Sequence, residues 1–169
     1  MKKQLHYFIF FTLLVTVSLS CKKNSGNTDY FVKIKQDGNW TTFTKVAGEF
    51  GPDLLDPSFT NLVIAAESNS GTEAFTIAIQ GTSLSAGTYD TDNTTVASTS
   101  LVYITQATTS PRAHTVDASM VAVSRYMVNI TSITATEIEG TFTGNFLYDS
   151  FNDNAANITE GQFKVKRIR

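Results

Sequence analysis

The chain has little of what protein chemistry most often uses. Its 169 residues include one cysteine, Cys21, two histidines, three prolines and one tryptophan. A single thiol rules out an intrachain disulfide, so no disulfide framework staples this protein. Only His114 lies beyond the opening segment, which leaves little room for imidazole base catalysis or a histidine-rich zinc site. The sequence has no glycine-rich phosphate loop, no His-Glu pair at zinc spacing and no nucleophile elbow, so most familiar enzyme classes are disfavoured. Charge is sparse as well. Charged residues make up 17% and the formal net charge is -2, whereas a nucleic-acid binder carries the basic footprint that phosphate neutralisation requires. The composition points to no cofactor and no nucleic-acid partner.

A long uninterrupted apolar run is also missing. Leu5 to Ser20 is rich in Phe, Leu, Val and Ile, but His6, Thr12, Thr16 and Ser18 break it. A membrane-crossing helix wants about 20 predominantly apolar residues. With Lys2 and Lys3 in front, the segment has instead the form of an export signal. It ends in "LLVTVSLSCKKNSG", and the order Ser18-Leu19-Ser20-Cys21 resembles a bacterial lipoprotein signal. In such signals a small residue precedes a cysteine that becomes the new amino terminus and carries acyl chains. Ser20 fits that pattern; Ser18 stands where it prefers Leu, Val or Ile. The resemblance implies that Cys21 is lipidated and that the membrane is the first partner, held through two or more acyl chains because one alone binds marginally. Residues 1–20 are then the signal helix, 21–28 the lipidated cysteine and a flexible tether, and 29–169 a single domain.

What is abundant in that domain is alternation. Twelve Phe and six Tyr, with many Val, Ile and Thr, favour strands. In "DYFVKIKQDGNWTTF", Val32 and Ile34 point one way while Lys33 and Lys35 point the other, and Asp37-Gly38 supplies turn residues that tolerate positive φ. "NLVIAAES" and "EAFTIAIQ" make a second hairpin around Asn69-Ser70-Gly71, with Phe75, Ile77 and Ile79 inward. In "EIEGTFTGNFLYD", Ile138, Gly140, Phe142, Gly144, Phe146 and Tyr148 share a face, and the glycines suggest bulges or tight sheet packing. The last run, "ITEGQFKVKRIR", places Phe163 and Val165 inward. "GEFGPDLLDPSFTN" and "ATTSPRAHTVDAS" read as loops because proline interrupts them. The pattern predicts an all-β fold of about eight or nine strands: an antiparallel β-sandwich first, a closed lipocalin-like barrel as the alternative.

The acylation cysteine, the aromatic strand running into Asp-Gly and Trp40, the late "VNITSITATEIEGTFTGNF" and the closing "ITEGQFKVK" together resemble a family of small β-rich lipoproteins of Bacteroidetes. The resemblance implies the fold and an outer-membrane address, and it carries no activity. In that group, acidic residues after the cysteine accompany surface display. Lys22 and Lys23 depart from this, which implies the periplasmic face.

Four constellations remain to be weighed. His114, with Asp117 and several serines nearby in sequence, is the one candidate base for an envelope hydrolase, against the plainer reading of a solvated loop histidine. Asp90 with Asp92, or Asp149 with Asp153, would offer oxygens to calcium or a glycosidase pair, although the second, with Phe151 between its acids and no glycine, lacks the spacing of a calcium loop, and plain solvated loops are the simpler reading of both. Trp40, Tyr89, Tyr103 and Tyr148 would form a sugar-stacking platform if exposed, and core if not. Lys164, Lys166, Arg167 and Arg169 fit the wet face of a last strand. The sequence thus predicts a lipid-anchored envelope protein acting as a binding or structural module rather than an enzyme. Its rivals are a carbohydrate-binding accessory lipoprotein and a hydrolase; the partner beyond the membrane would be a glycan or another envelope protein.

Overall fold

The computed structural model describes residues 30–91, 98–107, 110–115, 125–149 and 154–169. These hold eleven strands and no helix. Residues 1–20, expected to form the signal helix, and Cys21 lie outside them. The strands are β1 (Phe31–Gln36), β2 (Asn39–Phe43), β3 (Lys45–Pro52), β4 (Thr60–Glu67), β5 (Glu73–Gly81), β6 (Gly87–Asp90), β7 (Ser98–Ala107), β8 (Ser110–Thr115), β9 (Arg125–Ile133), β10 (Glu137–Asp149) and β11 (Asn154–Lys166).

One antiparallel sheet runs β2-β1-β11-β10-β9-β6 and the other β3-β4-β5-β7-β8. They join where the far end of β10 reaches β8, Tyr148 facing Thr115. A second seam lies at the end of the chain, where the Ile168 amide donates to the Gly48 carbonyl at 2.8 Å and the Phe50 amide to the Arg169 carbonyl at 3.0 Å. The sheets are not closed into a barrel, and the fold is a β-sandwich. Side chains from both inner faces fill the space between them, including Val32, Ile34, Ile64, Phe75, Ile77, Leu101, Val128, Ile138, Ile158 and Val165. The lipocalin-like alternative, with its empty interior, is thereby set aside.

Alternation places these residues as expected. Val32, Ile34, Phe75, Ile77 and Ile79 are buried, and the β1–β2 turn uses Asp37 and Gly38 at φ 50° and 80°. The glycines of β10 and β11 solve a packing problem. Both strands carry Gly-x-Phe, and the register sets Gly140 against Phe163 and Phe142 against Gly161. A Cβ at Gly140 would lie 2.5 Å from the Phe163 ring, and one at Gly161 would strike the Phe142 ring, so each phenyl occupies the space that its opposite residue lacks. Phe142 then stacks on Phe75 of the other sheet, centroids 4.7 Å apart and planes at 21°. That geometry adds to the area the rings bury.

Three local expectations are corrected. Lys45–Pro52 is a strand although Gly51-Pro52 suggested a break, because β3 is the outer strand of its sheet and Pro52 comes after Gly48 and Phe50, where residues 168 and 169 bond the strand's other edge, so the proline's missing N–H interrupts no ladder. Ser110–Thr115 is β8, although "ATTSPRAHTVDAS" read as a long loop; Pro111 pairs with Gln106 of β7. In β10 the inward face holds only as far as Gly144. Register irregularities between Phe142 and Leu147 shift the parity, and Leu147 is buried.

Candidate functional site

His114 does not sit in a solvated loop. It is in β8, opposite Tyr103 in β7, 8% exposed, with the two rings 6.0 Å apart. Its Nδ1 has no hydrogen-bond partner among the described residues. The Tyr103 hydroxyl donates to Glu73 at 2.6 Å, and burial first, then that carboxylate, pushes the phenol well above its ordinary pKa. Among the described residues no nucleophile or carboxylate is bonded to the imidazole, and Asp117 lies outside them.

Each carboxylate pair has at least one member outside the described residues. Asp90 ends β6 near Tyr126, whose phenol is raised by burial and then by the charge of Asp90. Asp92 and Asp153 lie outside the described residues, as do the side chains of Asp149 and Tyr148. Among the described residues no three acidic, histidine or cysteine side chains are grouped to hold a metal ion.

The aromatic set divides. Tyr89 and Tyr103 belong to the core, and the Tyr89 hydroxyl is spent on the Ser85 carbonyl at 2.7 Å. Trp40 is 46% exposed on β2, with Lys35 over its ring at 5.7 Å. One ring does not make a platform. On the outer face of β9, β10 and β11 a shallow open depression is lined by Asn129, Thr141, Thr143, Glu160 and Gln162, with Met127 at its side. Its amides and hydroxyls have the hydrogen-bonding chemistry of a sugar subsite, but Glu160 is taken by Lys35 and Asn129 by Thr88, and the ring at its border, Phe142, is buried and offers no stacking face.

The basic terminus is internally engaged. Lys164 meets Glu139 at 2.6 Å and Glu137 at 3.3 Å, and the hydrogen bond to Glu139, ahead of that to Glu137, raises its pKa. Arg167 donates to the carbonyls of Arg169, Thr134 and Phe50, and Arg169 pairs with Glu49. Lys164 thus ties β11 to β10 and the two arginines serve the seam to β3, so these three cations do not form a phosphate-binding stripe.

Sequence reasoning passed over a highly organised polar group among the described residues. Asp53, 6% exposed, follows β3 and accepts four hydrogen bonds. Its Oδ1 takes the amides of Leu55 at 2.7 Å and Asp56 at 2.9 Å, while Oδ2 takes Asn61 Nδ2 at 2.6 Å and Gln80 Nε2 at 3.0 Å. Burial alone would raise this carboxyl's pKa; the four donors outweigh it and hold the group below its ordinary value. Asp56 repeats the motif on a smaller scale by accepting the Ser58 amide and hydroxyl. The loop they fix carries Leu54 and Leu55, 75% and 85% exposed. The available signal was the aspartate-turn chemistry of "PDLLDPS", in which each carboxylate bonds backbone amides two or three residues on.

Comparison with protein-family models, with curated proteins and with solved structures returns no match.

Proposed function

We propose that this chain is a lipid-anchored protein of the bacterial envelope, with Cys21 as acyl acceptor and the β-sandwich as a binding or structural module held close to the bilayer. The supporting observation is the order of the sequence: a charged start, an apolar run, Ser20-Cys21, a short polar stretch, and then β1 from Phe31. The stretch between Cys21 and β1 is too polar to be a core element and too short to be a domain. It suits a tether, which as a flexible coil would average about 15 Å. Lys22 and Lys23 favour the periplasmic face of the outer membrane.

Membrane fractionation with mass measurement of the mature amino terminus tests this reading. The native chain should begin at an acylated Cys21 and sediment with membranes, and Cys21→Ser should shift most of it to the soluble or unprocessed pool. A native chain that keeps its leader, or is soluble with a free thiol, overturns the proposal.

Glycan binding is the second reading, and the outer-face depression at Asn129, Thr141, Thr143 and Gln162 favours it. Its expected result is a saturable change in Trp40 fluorescence or in amide chemical shifts of β9–β11 on glycan titration. An unchanged response across the depression removes it. A hydrolase reading has no converging acid, base or nucleophile among the described residues to support it.

A further inference from the structure

We propose that the Leu54-Leu55 tip is a second membrane contact, inserting both leucines into the interfacial region of the bilayer that carries the anchor. The inference rests on the lipid-anchor reading for its placement. Three observations carry it.

First, the tip is apolar and held in place. Soluble surfaces tolerate single exposed leucines, but here two in succession are almost fully exposed on a loop whose backbone is fixed. Asp53 accepts the amides of Leu55 and Asp56, the Asp53 amide donates to the Phe59 carbonyl at 2.9 Å, and the Phe59 amide donates to the Asp56 carbonyl at 3.0 Å. A loop with no use for its tip has no need of a buried carboxylate beneath it. Fixing the backbone beforehand also spares the ordering entropy that a floppy loop would lose on docking.

Second, the neighbourhood has the composition of an interfacial contact. Arg169 Nη2 donates to the Pro52 carbonyl at 3.0 Å, which brings the chain's last residues beside the loop. Ile168, 58% exposed, adds a third apolar side chain, and Lys166, Arg167 and Arg169 balance the acids Glu49, Asp53 and Asp56, so the apolar tip stands on a base without net charge. Exposed apolar side chains on a held tip without net charge suit the headgroup and upper acyl region of a bilayer.

Third, the tether leaves from the matching end. Phe31 pairs with Lys164, so the chain enters β1 at the end of the first sheet from which residues 167–169 run on to the loop. From Lys164 to Arg169 an extended chain covers about 17 Å, and the stretch from Cys21 to Tyr30 can reach about 30 Å. Anchor and tip can therefore rest on one plane.

Lipid-depth quenching tests the contact. Leu55→Trp is made in a Trp40→Phe background, and the full chain recovered from membranes is placed in phosphatidylcholine–phosphatidylglycerol vesicles containing brominated lipid. Native Trp40, which pairs with Lys35 well along β1, is the reference. The indole at position 55 should be quenched several-fold more strongly than Trp40 and should shift to the blue, and adding Leu54→Ser should weaken both effects. Quenching no greater than that of Trp40 overturns the proposal. If the indole is then shielded in a concentration-dependent way without lipid, the tip joins two copies of the chain instead. Mass measurement on the same sample reports whether acyl chains are present. If they are absent, the anchor reading fails, and quenching on added vesicles still decides the tip.

Discussion

Phe142→Ala is expected to lower the unfolding free energy by about 3–5 kcal/mol, the range for removing a buried phenyl ring and leaving a cavity that the surroundings only partly fill. The site leaves little freedom to relax. The ring is wedged between Phe75 of the opposite sheet, the Phe163 ring at 6.3 Å, and the bare backbone of Gly161. Gly161→Ala should also destabilise, for the converse reason: its new methyl group would meet the Phe142 ring closer than real side chains approach. Combining the two should therefore be less damaging than the sum, because the alanine methyl enters space the ring has vacated. A coupling of about 1 kcal/mol or more is expected for residues in such contact. Urea unfolding followed by Trp40 fluorescence measures all four corners of this cycle. Additivity within about 0.5 kcal/mol would show that ring and glycine do not share that space.

Asp53→Ala should cost about 2–4 kcal/mol, because it strands a buried Asn61 amide and the Gln80 amide and frees two backbone N–H groups at once. Asp53→Asn should be milder but still destabilising, since an amide presents donors where Asp53 offers only acceptors. The pH dependence separates charge from shape. The folded carboxyl titrates below its ordinary value of 3.8, so the unfolded chain takes up its proton first as pH falls. The stability this group confers is complete above the unfolded value and is lost as pH drops through the folded one. The wild type should therefore lose more stability than Asp53→Asn between about pH 5 and pH 2. Parallel pH profiles for the two proteins would show that the charge on Asp53 contributes nothing.

The parts of this structure that were legible in the sequence are those governed by a period of two. Val32 and Ile34, Phe75 through Ile79, and Phe163 with Val165 announce their buried face because a strand alternates regardless of its partners. Proline misled where the position of a strand in its sheet, unknown from sequence, decides whether a missing N–H matters. Pro52 on an outer strand and Pro111 in β8 are the two cases. Leu147 was misplaced because the irregularity at Gly144 changes the parity, and a glycine marks a bulge without saying whether the strand resumes on the same face. At the site level, Trp40 and Tyr103 look alike in sequence; one is half exposed and the other is core, a difference set by which strand lies over them. Asp53 was hidden for a related reason. Two of its donors are nearby, but Asn61 and Gln80 come from β4 and β5 and meet only once those strands pair.

The repeated Gly-x-Phe of β10 and β11 also acts as a key. In the observed alignment each ring lies over a glycine. Sliding one strand by two residues in one direction sets Gly140 against Gly161 and leaves a void in the core, and sliding it in the other sets Phe142 against Phe163 and crowds two rings together. Slippage by two would keep the alternation of inner and outer side chains, so alternation alone could not prevent it. The paired tripeptides supply the missing discrimination, and chains built on the same plan should exchange small and aromatic residues at these four positions together rather than singly.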